Sequence, residues 1–96
     1  MWGYGSALGN LASLALARDD VREARRLLEE SLVAIRITGR ARWIAWILVQ
    51  LAAVTRLDGQ RERGAAMAAE ALAIFQRLGD REGETESVRL TSPGPA

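Results

Sequence analysis

The chain repeats one residue pattern after about 40 positions, and this internal repeat constrains the fold more than any other feature. A period of this length is typical of stacked supersecondary units, each of which buries its apolar side against its neighbours. Identical residues occupy equivalent positions in the pairs Leu8 and Leu48, Leu11 and Leu51, Ala12 and Ala52, Glu30 and Glu70, Leu32 and Leu72, and Gly39 and Gly79. The sequence therefore predicts one unit present in two copies.

Within each copy, apolar and small residues recur at steps of three and four, the spacing that aligns side chains along one face of an α-helix. The first copy has Val21, Ala24, Leu28, Ser31, Leu32 and Ile35, and the second has Gly64, Ala68, Ala71, Leu72 and Phe75. Asp20 followed by Glu23 is typical of a capping box at a helix start, and Gly39, Gly59 and Gly79 stand where helices are expected to end.

These signals predict an all-α fold. The predicted helices cover residues 4–18, 20–38, 41–57 and 60–78. A shorter helix is expected over 80–90, because Asp80 can serve as its N-cap although apolar residues are few. We expect one domain over 1–90, with a first repeat at about 4–40, a second at about 41–80, a partial capping helix at about 81–90 and a flexible tail over 91–96.

Composition narrows the classes of function. The 96 residues include thirteen arginines, no lysine, twelve acidic residues and a net charge of +1, so no uniform basic field is expected. The absence of Cys and His removes disulfides, thiolate chemistry and the commonest metal ligand. No glycine-rich phosphate loop or nucleophile elbow occurs. We therefore predict no enzymatic activity, no cofactor and no metal.

The most apolar stretch, residues 43–54, is shorter than the roughly 20 residues that a membrane-crossing helix needs. The N-terminus lacks a basic region before an apolar run, which argues against a secretory signal. The predicted location is the cytoplasm.

Two segments resemble a known family. Residues 11–32 read LASLALARDDVREARRLLEESL, and residues 71–83 read ALAIFQRLGDREG. Both are similar to the tetratricopeptide repeats of large bacterial signal-transduction ATPases and transcriptional regulators. The resemblance implies antiparallel helix-turn-helix repeats stacked as a short right-handed α-solenoid, here two repeats plus a partial third helix. It also implies a protein–protein interaction or oligomerisation module, a fragment or relative of a bacterial regulatory protein.

The resemblance further implies that the first helix of each repeat lines a concave, partner-binding face. The residues expected on that face are Ser13, Leu16, Trp46, Val49, Ala53, Arg56 and Leu57. The family's clamp for a terminal carboxylate uses Asn and Lys, but Ser13 and Ala53 occupy the aligned positions. An apolar groove edged by Arg56 is better suited to an amphipathic helix or a second copy of the chain.

Self-association is expected because stacked repeats usually need about three units before burial outweighs chain entropy. A dimer is favoured. The candidate oligomer contacts are Trp2, Tyr4, Trp46 and Val49. Trp43 is assigned to the core, whereas Trp46 fits the core and an interface equally well.

Two other functions stay open. An arginine-rich nucleic-acid-binding module would use Arg18, Arg22, Arg25, Arg26, Arg36, Arg40 and Arg42. That hypothesis is disfavoured because Glu29 and Glu30 lie at helical spacing from Arg25 and Arg26, which predicts a salt-bridged surface. The second alternative is a purely structural spacer within a longer repeat array.

Overall fold

The computed structural model describes residues 17–91, which form four helices and no strand over that range. The helices are α1 (Val21–Thr38), α2 (Ala41–Leu57), α3 (Arg61–Leu78) and α4 (Arg81–Thr91). The all-helical prediction is confirmed, and each of these helices lies within one residue of its predicted bounds.

The remaining predicted elements fall largely outside the described residues. These are the helix over 4–18, of which only residues 17 and 18 are described, and the tail predicted over 91–96, whose first residue, Thr91, is instead the last residue of α4.

The helix ends follow the polar and glycine signals. At the start of α1 the Asp20 carboxylate accepts a hydrogen bond from the backbone N–H of Glu23 at 3.1 Å. Gly39 ends α1 with a φ of 69° and Gly79 ends α3 with a φ of 70°, the left-handed conformation that glycine adopts without steric cost. At the start of α3, the side chain of Gln60 makes no capping hydrogen bond.

Helix α2 lies at the centre of the described fold and packs against α1, α3 and α4. The cluster between α1 and α2 contains Ala24, Leu27, Leu28, Leu51 and Val54, and the cluster between α2 and α3 contains Ala45, Leu48, Val49, Ala71, Ile74 and Phe75. On α2 itself, Ile47, Leu48, Leu51 and Ala52 are buried, and Ile44 packs against the second cluster. A helix enclosed in this way buries apolar residues around most of its circumference.

The helices approach most closely at glycine. A Cβ atom at Gly64 would lie 2.9 Å from the backbone oxygen of Ala52 and 2.6 Å from Cγ of Arg56. A Cβ atom at Gly83 would overlap the ring of Phe75, which is fully buried. Glycine lowers helix stability by about 1 kcal/mol relative to alanine. At both positions, this loss accompanies closer packing than a larger residue would allow.

We predict that Gly83→Ala destabilises the protein although alanine favours the helix. The added methyl group forces the Phe75 ring out of its site, and overpacking of this kind costs about 1–3 kcal/mol. Thermal unfolding followed by circular dichroism is expected to show a Tm lower by roughly 4–24 °C. Thr85→Ala, at an exposed position of the same helix, is the control and should change Tm little. An unchanged or raised Tm for Gly83→Ala would show that the ring is not held there.

Candidate functional site

One side of α2 is not covered by the other described helices and carries a row of mostly apolar side chains. We call Trp43, Trp46, Gln50, Ala53 and Leu57 the α2 stripe. Their steps of three and four place them along one line of the helix, over roughly 21 Å at about 1.5 Å per residue. Leu57 is 68% exposed and Trp43 is 41% exposed. Gln50 is exposed, while Trp46 and Ala53 are half-buried.

Three of the predicted partner-binding residues, Trp46, Ala53 and Leu57, lie on this stripe. Val49 does not, because it is 7% exposed and belongs to the cluster formed with α3. Its position on the helix turns it toward α3, so Val49 offers little surface to a partner. The other predicted contacts, namely Ser13, Leu16, Trp2 and Tyr4, lie outside the described residues.

Arg56 has an interior role that the sequence did not indicate. Its Nη1 atom donates hydrogen bonds to the backbone carbonyls of Arg89 at 3.4 Å and Leu90 at 3.2 Å. Its Cγ lies beside Gly64, where a larger residue would collide with it. A guanidinium that binds the last carbonyls of α4 satisfies groups that a helix C-terminus leaves without intrahelical partners. Arg56 therefore joins α2 to α4.

The structure changes the assignment of Trp43 but not that of Trp46. The prediction that Trp43 fills the core is wrong, because the ring is 41% exposed on the α2 stripe. Trp46 is half-buried and meets Phe75 edge to face, with ring centroids 5.0 Å apart and an interplanar angle of 65°. Trp46 thus belongs partly to the core and partly to the surface. The signal that could have revealed Trp43 is the spacing of Trp43, Trp46 and Gln50 in steps of three and four, which puts Trp43 on the same line as a polar residue.

A smaller apolar patch lies on the opposite side of α1 from its core residues. Ile37 is 84% exposed and Val33 is 66% exposed, one turn apart. The equivalent positions of the second copy carry Ala73 and Arg77. Single exposed apolar side chains are common on protein surfaces, and this pair is too small to define a site by itself.

Acidic partners hold several of the arginines that a nucleic-acid surface would need. The ion pairs are Arg25 with Asp58 at 2.9 Å, Arg26 with Glu23 at 2.7 Å and with Glu30, Arg36 with Glu70 at 2.9 Å, and Arg42 with Asp80 at 3.4 Å. Because these pairs are at least partly exposed, each stabilises the fold little. Their main effect is to spread both signs of charge over the surface.

The Arg26 guanidinium bridges two carboxylates on α1. Its Nε and Nη2 atoms donate to Glu23 at 2.8 and 2.7 Å, and Nη1 donates to Glu30. The hydrogen bonds from Arg26 lower the pKa of Glu23 below its ordinary value of 4.5, and the same contacts raise the pKa of Arg26. A lowered carboxyl pKa contributes stability that is present above the unfolded-state pKa and is lost as pH falls through the folded-state pKa.

Within residues 17–91, no group of three or more acidic residues is arranged to hold a metal ion. None of the helices described is long and apolar enough to cross a bilayer. A search of protein-family models, curated proteins and solved structures finds no significant match to the chain. The resemblance to tetratricopeptide repeats therefore depends on the sequence segments alone.

We predict that Arg26→Gln raises the pKa of Glu23 toward that of an unpaired glutamate, because the substitution removes the bridging cation. Carboxyl chemical shifts followed by NMR between about pH 2 and pH 7 measure the change. Arg22→Gln is the control, because it removes an exposed arginine of the same helix that makes none of these contacts. Equal titration of Glu23 in the two variants would contradict the assigned cause.

We also predict that the protein does not bind a fluorescent DNA duplex at roughly 0.15 M salt and up to about 100 µM protein, because paired arginines attract phosphates weakly. Fluorescence anisotropy measures binding. The triple variant Glu23→Gln, Glu30→Gln, Glu70→Gln is the positive control for DNA binding, because it removes the acidic partners of Arg26 and Arg36. Salt-dependent binding by the wild type would revive the nucleic-acid hypothesis.

Proposed function

We propose that the protein is a protein–protein interaction module of the tetratricopeptide type and that the α2 stripe is its docking surface. The observation that carries this proposal is the row of Trp43, Trp46, Ala53 and Leu57 on a helix that is otherwise part of the core; Trp43 and Leu57 are exposed, and Trp46 and Ala53 are half-buried. Apolar side chains at helical spacing suit a partner that presents an amphipathic helix.

The setting of the stripe supports a binding role. The other sides of α2 pack against α1, α3 and α4, so the backbone beneath the stripe is held in place before a partner arrives. A preorganised surface loses little conformational entropy on binding. Tryptophan is enriched among residues that dominate binding energy, and two tryptophans lie at one end of the stripe.

The repeat architecture is part of the same proposal. The internal period of about 40 residues and the bounds of α1 to α4 support repeated helix-turn-helix units followed by a partial third. By resemblance, these units would stack as a right-handed solenoid. By resemblance, such a module would act in the cytoplasm as part of a bacterial regulator. A spacer within a longer array remains the competing role, in which neighbouring repeats would cover the stripe.

We predict that peptides selected from a displayed library of amphipathic helices bind the wild type through the α2 stripe. Leu57→Glu is expected to weaken the selected peptides at least tenfold, because it places a charge where an apolar contact forms. Binding is measured by fluorescence anisotropy with synthetic peptides.

Ile37→Glu is the matched control, since it places the same charge at an exposed apolar position on α1, 84% exposed against 68% for Leu57. The proposal fails if no peptide is selected, or if the two variants bind the selected peptides equally well. Trp46→Glu is less suitable as a test because Trp46 also packs against Phe75.

A further inference from the structure

We infer that a second copy of this chain occupies the α2 stripe, with the two α2 helices antiparallel about a two-fold axis that passes beside Gln50. This inference rests on the proposed function, because it names the occupant of the same docking surface. Two-fold pairing uses one surface twice, so that surface must be complementary to itself. The stripe meets this requirement in shape, polarity and charge.

Large and small side chains are arranged to interlock in this orientation. With Gln50 at the centre, Trp43 of one copy lies opposite Leu57 of the other, and Trp46 lies beside Ala53. Side chains in a helical seam spaced by three and four residues pack between those of the facing helix. A parallel pair would instead place Trp46 against Trp46 at one level and Ala53 against Ala53 at another, leaving a crowded layer and a gap.

Gln50 is suited to the centre of a two-fold interface. A glutamine amide both donates and accepts hydrogen bonds, so two identical amides can satisfy one another across the axis. A single polar residue in an apolar seam favours the register in which it finds that partner. Gln50 is exposed in the isolated chain and lies midway between Trp43 and Leu57.

Charge also favours the antiparallel orientation. Arg40 and Arg42 lie at the N-terminal end of α2, and both are exposed. A parallel pair would bring each of them close to its counterpart in the second copy. The antiparallel pair separates these like charges and places them near the C-terminal end of the other α2 helix, where the helix dipole is negative and the guanidinium of Arg56 is turned toward the carbonyls of α4.

The expected association is weak. The contact extends for only roughly 21 Å along one pair of helices. We therefore expect it to bury less surface than a standard interface, which buries about 1,600 Å² in total. We therefore expect a dissociation constant on the order of 10–100 µM. The monomer of 10.5 kDa should predominate in dilute solution, and the mass should approach twice that value in concentrated solution.

Because the chain contains no cysteine, single cysteine variants report the geometry directly. Gln50→Cys should form a disulfide-linked dimer under mild oxidation, since two cysteines beside the axis can reach bonding distance. Leu57→Cys should form at least tenfold less dimer, because the two positions lie roughly 21 Å apart in the antiparallel pair. A mixture of Leu57→Cys with Trp43→Cys should give the mixed dimer. Ile37→Cys, on α1, is the control for random collision.

Equal cross-linking of Gln50→Cys and Leu57→Cys would overturn the antiparallel geometry. Cross-linking of Gln50→Cys no greater than that of Ile37→Cys would exclude a second copy from the stripe. In that case, the proposed function would still stand if Leu57→Glu weakened the binding of the selected peptides. If neither Gln50→Cys cross-linking nor Leu57-dependent peptide binding were observed, the proposed function would be rejected. If Gln50→Cys stays monomeric and reacts with iodoacetamide tenfold slower than Ile37→Cys, another segment of the same chain covers the stripe.

Discussion

The packing of α2 between its neighbours is the constraint on which the rest of the structure depends. Helix α1 joins the described fold mainly through α2, and the clusters on the two flanks of α2 contain most of the buried apolar residues. Arg56 adds a polar link from α2 to the end of α4. Because one helix serves as the core for three others, its remaining side is the natural place for an external contact.

The two helical glycines show how the close packing is achieved. At Gly64 the missing side chain lets α3 approach the backbone of α2 near Ala52, and at Gly83 it leaves space for the ring of Phe75. In the sequence, Gly64 is one of the small residues that recur along one face of the second copy. The structure supplies the reason for it, because even alanine is too large at this crossing.

The helices could be predicted because their signals are local. The apolar spacing, the Asp20 cap and the glycines at 39 and 79 each specify a boundary within a few residues. The site could be predicted only in part, since α2 is apolar on nearly every side. Periodicity identifies faces of a helix but not which face a neighbour covers. Val49, expected on the partner-binding face, is thus buried against α3, and Trp43, expected in the core, is exposed. Leu57, at the helix end, is exposed.

The enclosure of α2 also has a consequence for the life of the protein in a cell. If α1 or α3 separates from α2, the apolar flank that it covered becomes available beside the stripe. Partly open states of this kind are prone to aggregate and are recognised by chaperones and proteases. The abundance of the protein should thus depend on how tightly its helices stay closed, and a partner seated on the stripe would protect the chain from degradation.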